Sequence, residues 1–184
     1  MTETVTPVCN FGEKAKNFNL ISTENKKISL EDAQGTNGTL IMFICNHCPY
    51  VKAVIKDIVD DVKSLEALGV NSVAIMSNDV KNYPEDSFEN MIKFSKLHNF
   101  SFPYLYDNTQ DVAKNYNAVC TPDFFGYNKN LELQYRGRIR ELKNLKAVRM
   151  GDSDLKIAMK LISSTGKGPK EQIPSMGCNI KWFK

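Results

Sequence analysis

The sequence predicts an α/β domain built on a mixed central sheet with helices on its faces. Three observations carry that reading. Residues 39–44 form a continuous apolar run after Gly35 and Gly38, the pattern of a strand buried on both faces. Val51, Val54, Ile55, Ile58, Val59, Val62, Leu65 and Leu68 then recur at i, i+3, i+4 and i+7, and Gly69 stops them. Residues 70–76 give a second buried strand, and a hairpin and a helix close the alternation.

The remaining elements follow in order. Residues 18–21 and 28–30 flank the polar turn Thr23-Glu24-Asn25-Lys26 and predict an N-terminal β-hairpin. Lys52, Lys56, Asp57, Asp60, Asp61 and Lys63 fall on the wet side of the long helix. Residues 84–97 predict a helix striped by Phe88, Met91, Ile92 and Leu97, with Asn82 as cap and Glu85 three residues on. A short strand over 103–106 and a short helix over 110–116 come next. Residues 123–127 and 131–135 flank Asn128-Lys129-Asn130, a hairpin signal. Leu155, Ala158, Met159 and Ile162 mark the last helix, which Ser153 can cap. From Gly166 the chain is turn-rich, and residues 166–184 read as a C-terminal extension. With no internal repeat and no linker, residues 1–184 read as a single domain.

Composition removes several function classes. At 42% hydrophobic, 184 residues can build a core without disulfide staples. Lys plus Arg is 24 and Asp plus Glu 21, a balance of +3 that argues against a nucleic-acid partner. The longest apolar run, residues 40–45, falls far short of the ~20 residues that span a bilayer, so no membrane partner is expected. The opening residues carry neither a cationic start nor an apolar stretch, which predicts a cytoplasmic protein. In that compartment five cysteines, Cys9, Cys45, Cys48, Cys120 and Cys178, do not read as a disulfide framework.

Spacing matters more than the count. Cys45-Asn46-His47-Cys48 lies at the C-terminal end of the first buried strand and opens the long helix, where α/β sheets place reactive groups. Unpaired N–H groups and the positive end of the helix dipole there favour an anion. Cys45 is therefore expected below the ordinary cysteine pKa of about 8.5, with protonated His47 as a second stabiliser. Cys48 lies within reach of it. Cys45 would attack a substrate disulfide, and Cys48 would release the product by closing Cys45–Cys48. A zinc site would need a second pair at ligand spacing, and Pro49 stands where haem attachment needs histidine, so neither metal nor cofactor is expected. Two cysteines that merely fill core volume are the plain alternative.

The second signal is Cys120-Thr121-Pro122, just before the strand over 123–127. A Cys-x-x-Cys at a strand-to-helix junction, followed some seventy residues later by Thr-Pro entering a hairpin strand, resembles the thioredoxin-like superfamily. Gly12 to Leu20 with Ile28-Ser29-Leu30, and Thr121 to Phe125 with Tyr135 to Ile139, are similar to its redoxin, or AhpC/TSA-type peroxiredoxin-like, branch. The ending Gly177-Cys178-Asn179-Ile180-Lys181-Trp182 is similar to that of a small bacterial group of this branch. The resemblance implies a thioredoxin-like fold, a cis peptide before Pro122, and a substrate strand pairing beside Thr121 and Pro122. It departs from ordinary thioredoxins in having Ile44 where tryptophan precedes the first cysteine. The Pro-x-x-x-Thr-x-x-Cys string of peroxiredoxins is absent; Met42, Cys45, Asn117 and Ser175 stand three residues before Cys45, Cys48, Cys120 and Cys178.

The functional expectation is a protein thiol–disulfide oxidoreductase using Cys45, Cys48 and His47, with Thr121 and Pro122 binding substrate. Its partners would be protein disulfides and a thiol reductase or glutathione-type recycling system. The alternatives are a thiol-dependent peroxidase acting as an antioxidant and a non-enzymatic redox-sensing module. Cys120 is either a third redox thiol or a small core residue. Its side chain should alternate away from the pair. Cys178 carries the same two readings, and Cys9 lies outside the matched region.

Overall fold

The computed structural model describes residues 2–184. In chain order the elements are β1 (Glu3–Val5), β2 (Asn19–Ser22), β3 (Lys27–Ser29), α1 (Leu30–Ala33), β4 (Gly38–Phe43), α2 (Pro49–Glu66) and β5 (Val70–Met76). A 3₁₀ turn (Pro84–Asp86) precedes α3 (Phe88–Leu97), β6 (Tyr104–Tyr106), α4 (Asp111–Asn115), β7 (Cys120–Thr121) and β8 (Asp123–Asn128). The chain finishes with β9 (Leu133–Tyr135), β10 (Leu142–Lys143), β11 (Lys146–Ala147), α5 (Asp154–Thr165) and β12 (Met176–Asn179).

A seven-stranded sheet runs β3-β2-β6-β5-β4-β8-β9. Its centre, β6-β5-β4, is parallel, and the remaining pairs are antiparallel. This is the mixed sheet flanked by helices that the alternation predicts. β4 is buried at every residue, and its side chains alternate between two cores. Leu40 and Met42 pack with Val54, Ile55 and Ile58 of α2 and with Leu155 and Met159 of α5. Ile41 and Phe43 face Leu30 and Ala33 of α1, Val112 of α4 and Phe125. Each aliphatic side chain so buried contributes about 1.5–3 kcal/mol, so the α2 stripe is a principal source of stability.

Three local expectations change. The helical pattern puts Asp61 on the wet face of the long helix, but it is buried and accepts a hydrogen bond from the Ser153 hydroxyl, which also caps α5. Burial raises its carboxyl to about 6. The helix over 84–97 is broken, because Ser87 accepts the Asn90 N–H and starts α3 anew, while Asn82 turns to Asp79. The turn-rich extension contributes a strand: β12 pairs with β1 on one side and β7 on the other. Local pattern gave no sign of β1 or β12, which are short and held only by partners distant in sequence. Among the described residues no helix is long and apolar enough to cross a membrane.

Candidate active site

The site forms where β4 ends. The Ile44 N–H still donates to the Ile75 carbonyl at 3.0 Å, so the sheet guides the chain up to Cys45. The helix does not begin there. α2 starts at Pro49, whose missing N–H would be unpaired at that position anyway, and Cys48 is its N-cap. The residue at the helix N-terminus is therefore Cys48, where the sequence pattern expects Cys45.

The charge follows the geometry. The sulfurs of Cys48 and Cys178 are 2.8 Å apart, and the Cys45 sulfur is 3.4 Å from Thr121 Oγ1. When protonated, the Cys48 thiol donates to the Thr121 carbonyl at 3.2 Å. The Cys48 pKa is pulled down to about 5, first by a hydrogen bond from the Cys45 thiol; burial opposes this, and the Cys178 thiol and the Val51 N–H add to it. Cys45 is pushed up, because it donates to Cys48, because it is buried, and because Asp86 is near. The hydrogen bonds from Cys45 and Cys178 thus favour a thiolate at Cys48, where the sequence pattern expects one at Cys45.

Asp86 is the residue that sequence reading passed over. It is fully buried at the end of the 3₁₀ turn. Its carboxylate accepts the Asn46 N–H at 2.8 Å and the Asn78 side-chain amide at 2.8 Å, and pairs with His47 Nδ1 at 2.7 Å. The Tyr104 hydroxyl donates to Asn46 Oδ1 at 2.8 Å, so the loop between the two cysteines is held from both sides. His47 stacks on Tyr83, with ring centroids 5.8 Å apart, and Asp86 raises its pKa. The cation thus answers Asp86 first. Nothing in the sequence marks Asp86 among 21 acidic residues, since its burial depends on donors 8 and 40 positions away.

Among the described residues, Cys45, His47 and Asp86 bring one ligand atom each within 4.8 Å of one another and are the group that could hold a metal ion. Three are one short of a closed tetrahedral set, and the Asp86 oxygens are already taken by three partners, so the group fits hydrogen bonding better.

The Thr121–Pro122 peptide is cis, as the resemblance implies. Thr121 contacts both Cys45 and Cys48, whereas the Cys120 sulfur lies against the Pro122 carbonyl at 3.5 Å. Strand alternation accounts for that difference. The backbone edge beside Thr121 is not open to another chain, because Cys178 of β12 is paired with Thr121 in register. Approach is close enough that a Cβ on Gly177 would lie 2.1 Å from the Thr121 carbonyl oxygen. Beyond β12, the Asp79 N–H and the Gln110 side chain both donate to the Lys181 carbonyl at 2.8 Å, and the Lys181 N–H donates to Asn78 Oδ1. Asn78 therefore ties the C-terminal segment to Asp86.

Residues 11–142 match the AhpC/TSA family. The chain is a member of the AhpC/TSA family. As a redoxin, it is an oxidoreductase of that general type. No curated protein sequence matches it. Among solved structures, this AhpC/TSA member is similar to an uncharacterized conserved protein from Geobacillus kaustophilus, with 39% identity, TM-score 0.94, and coverage of 100% of this chain and 97% of the other. A hypothetical protein from Sinorhizobium meliloti 1021 is 31% identical, with TM-score 0.90 and 99% of each chain covered. The thioredoxin domain of a thiol-disulfide oxidoreductase from Bacteroides vulgatus shares the fold at 14% identity, with TM-score 0.59 and coverage of 73% of this chain and 89% of that one.

Proposed function

We propose that this protein is a thiol–disulfide oxidoreductase acting through Cys45 and Cys48 on protein disulfides, recycled by a thiol reductase or a glutathione-type system in the cytoplasm. The observation that carries the reading is the placement of both sulfurs against Thr121 at the C-terminal end of the central strand β4. A thiolate is the attacking species in exchange, and hydrogen bonds from the Cys45 thiol, the Cys178 thiol and the Val51 N–H favour one at Cys48. His47 supports the site through Asp86, which it neutralises when protonated. Pro122 fixes the loop that carries Thr121, and Thr121 acts by sulfur contact.

Reduction of insulin disulfides with dithiothreitol as electron donor tests the proposal. Turnover is expected for the wild type and its loss for Cys48→Ser and Cys45→Ser, since serine offers almost no anion at neutral pH. Equal turnover by either variant would overturn it.

One observation favours a second reading. Cys45, Cys48 and Cys178 are each 4% exposed or less, a depth that a hydroperoxide reaches more readily than a protein disulfide does. On that reading Cys48 is oxidised to the sulfenic acid and a neighbouring thiol condenses with it. Consumption of hydrogen peroxide under dithiothreitol, without insulin turnover, would select it.

A further inference from the structure

We infer that Cys178 is a third redox thiol, which exchanges with Cys48 and is the sulfur that an external thiol attacks. The inference rests on the thiol–disulfide reading of Cys45 and Cys48 and extends it to a residue 130 positions away. The sulfur–sulfur distance of 2.8 Å leaves less than an ångström to the bonded separation of about 2.05 Å. The geometry is held from several directions. Cys178 is paired with Glu3 of β1 on one side and Thr121 of β7 on the other, and Lys181 is anchored three residues on.

Position separates the three sulfurs. Cys45 lies on the Asp86 and His47 side of Cys48. Cys178 is outside that group, touches Cys48, and lines a groove of about 620 Å³ with Pro49, Tyr50, Leu142, Leu145 and Met176. Cys45 and Cys48 do not line it. Leu145 and Met176 are 41% and 47% exposed, so the groove is reached from solvent. Cys48 contacts both of the other sulfurs and can exchange with either.

The chemistry balances in two steps. In the first, Cys178 gives up its proton and attacks Cys48 of a Cys45–Cys48 disulfide; the Cys48–Cys178 bond forms, the Cys45–Cys48 bond breaks, and Cys45 leaves with the electron pair and takes a proton. One disulfide is exchanged for another, with no net oxidation. In the second, one thiolate of an external dithiol attacks Cys178, and Cys48 departs. The departing Cys48 thiolate is received by the Cys45 thiol and by the Val51 N–H of the first helical turn, both within hydrogen-bond reach of it. The second thiol of the reductant then displaces Cys178. The dithiol ends as a disulfide, and two electrons leave all three protein sulfurs reduced.

The test is disulfide mapping after oxidation with oxidised glutathione, acid quench, alkylation and non-reducing digestion of the wild type, Cys45→Ser and Cys178→Ser. The wild type should yield both Cys45–Cys48 and Cys48–Cys178 peptides. Cys45→Ser should retain the Cys48–Cys178 peptide, and Cys178→Ser should lose it, keep Cys45–Cys48, and be reduced by dithiothreitol more slowly than the wild type. If Cys178 is fully alkylated in the wild type and in Cys45→Ser while Cys45–Cys48 forms, the third-thiol inference fails and the exchange reading stands. If Cys178→Ser forms no Cys45–Cys48 bond, while the wild type forms none either, the exchange reading itself fails. The wild-type map needs no variant to fold, so the inference is testable even if Cys178→Ser is unstable.

Discussion

Two carboxylates, Asp86 and Asp123, are completely buried, and each holds one of the loops that carry the sulfur contacts. They are compensated in different ways. Asp123 meets a fixed charge: Arg136 Nη2 and Nε donate to it at 2.9 and 3.3 Å, and the Val119 N–H adds a third bond at 3.1 Å. Arg136 also donates to the Asn117 carbonyl and lies over the Phe125 ring, so the loop leading to Thr121 is held by an ion pair, a backbone bond and a ring contact together. Asp86 meets two neutral amide donors and one titratable ring, His47. The first arrangement is scaffolding. The second gives the loop from Cys45 to Cys48 a charge that responds to protons.

The largest expected effect attacks the scaffold. Arg136→Met leaves Asp123 buried and unpaired and should cost about 3–5 kcal/mol in urea unfolding, with the His47 titration unmoved. Asp86→Asn should cost less, about 1–3 kcal/mol, because it leaves no charge unpaired in the interior, although its NH2 then faces a donor that the carboxylate had accepted from. A ranking in the opposite order would break the contrast between the two carboxylates.

Asp86→Asn sharpens the same contrast through pH. The pKa of His47 is raised in the folded protein, so the stabilisation it contributes is complete below the unfolded value of about 6.5 and disappears as pH rises through the folded value. In Asp86→Asn the His47 resonance, followed by NMR, should titrate nearer its ordinary value, and this part of the pH dependence should flatten. A smaller change is expected from Cys45→Ala. Removing the thiol that donates to Cys48 should move the thiolate absorbance midpoint upward from about 5. An unchanged midpoint would mean that the helix terminus and Cys178 suffice. Smallest of all is Cys120→Ala, which keeps the backbone bond to Asp123 and removes a sulfur that lies against the Pro122 carbonyl: insulin turnover should persist, with a stability loss of about 1 kcal/mol.

What could be read in advance followed a physical boundary. The apolar run of β4 and the stripe of α2 are local patterns whose period encodes the burial directly, and the Ser153 cap is equally local. The cis Thr121–Pro122 peptide and the turned-away Cys120 came from a motif and from strand alternation. The start of α2 was misplaced by one turn, because the sequence does not say which cysteine leaves the sheet and which caps the helix. Asp86 and the Cys48–Cys178 contact were illegible for a different reason. Each exists only when segments far apart in the chain are brought together, and no periodicity carries that information.

Strand β12 has a consequence for how the protein is made. Translation delivers Cys48 well ahead of Cys178, and at about 5–20 residues per second the intervening 130 residues take on the order of ten seconds. Throughout that interval β1 has no partner, because β12 is the strand it pairs with. The Cys48 thiol emerges on a nascent chain before the strand that packs Cys178 against it exists. The period of greatest exposure to cellular oxidants therefore falls before folding is complete, and conditions that slow elongation should lengthen it.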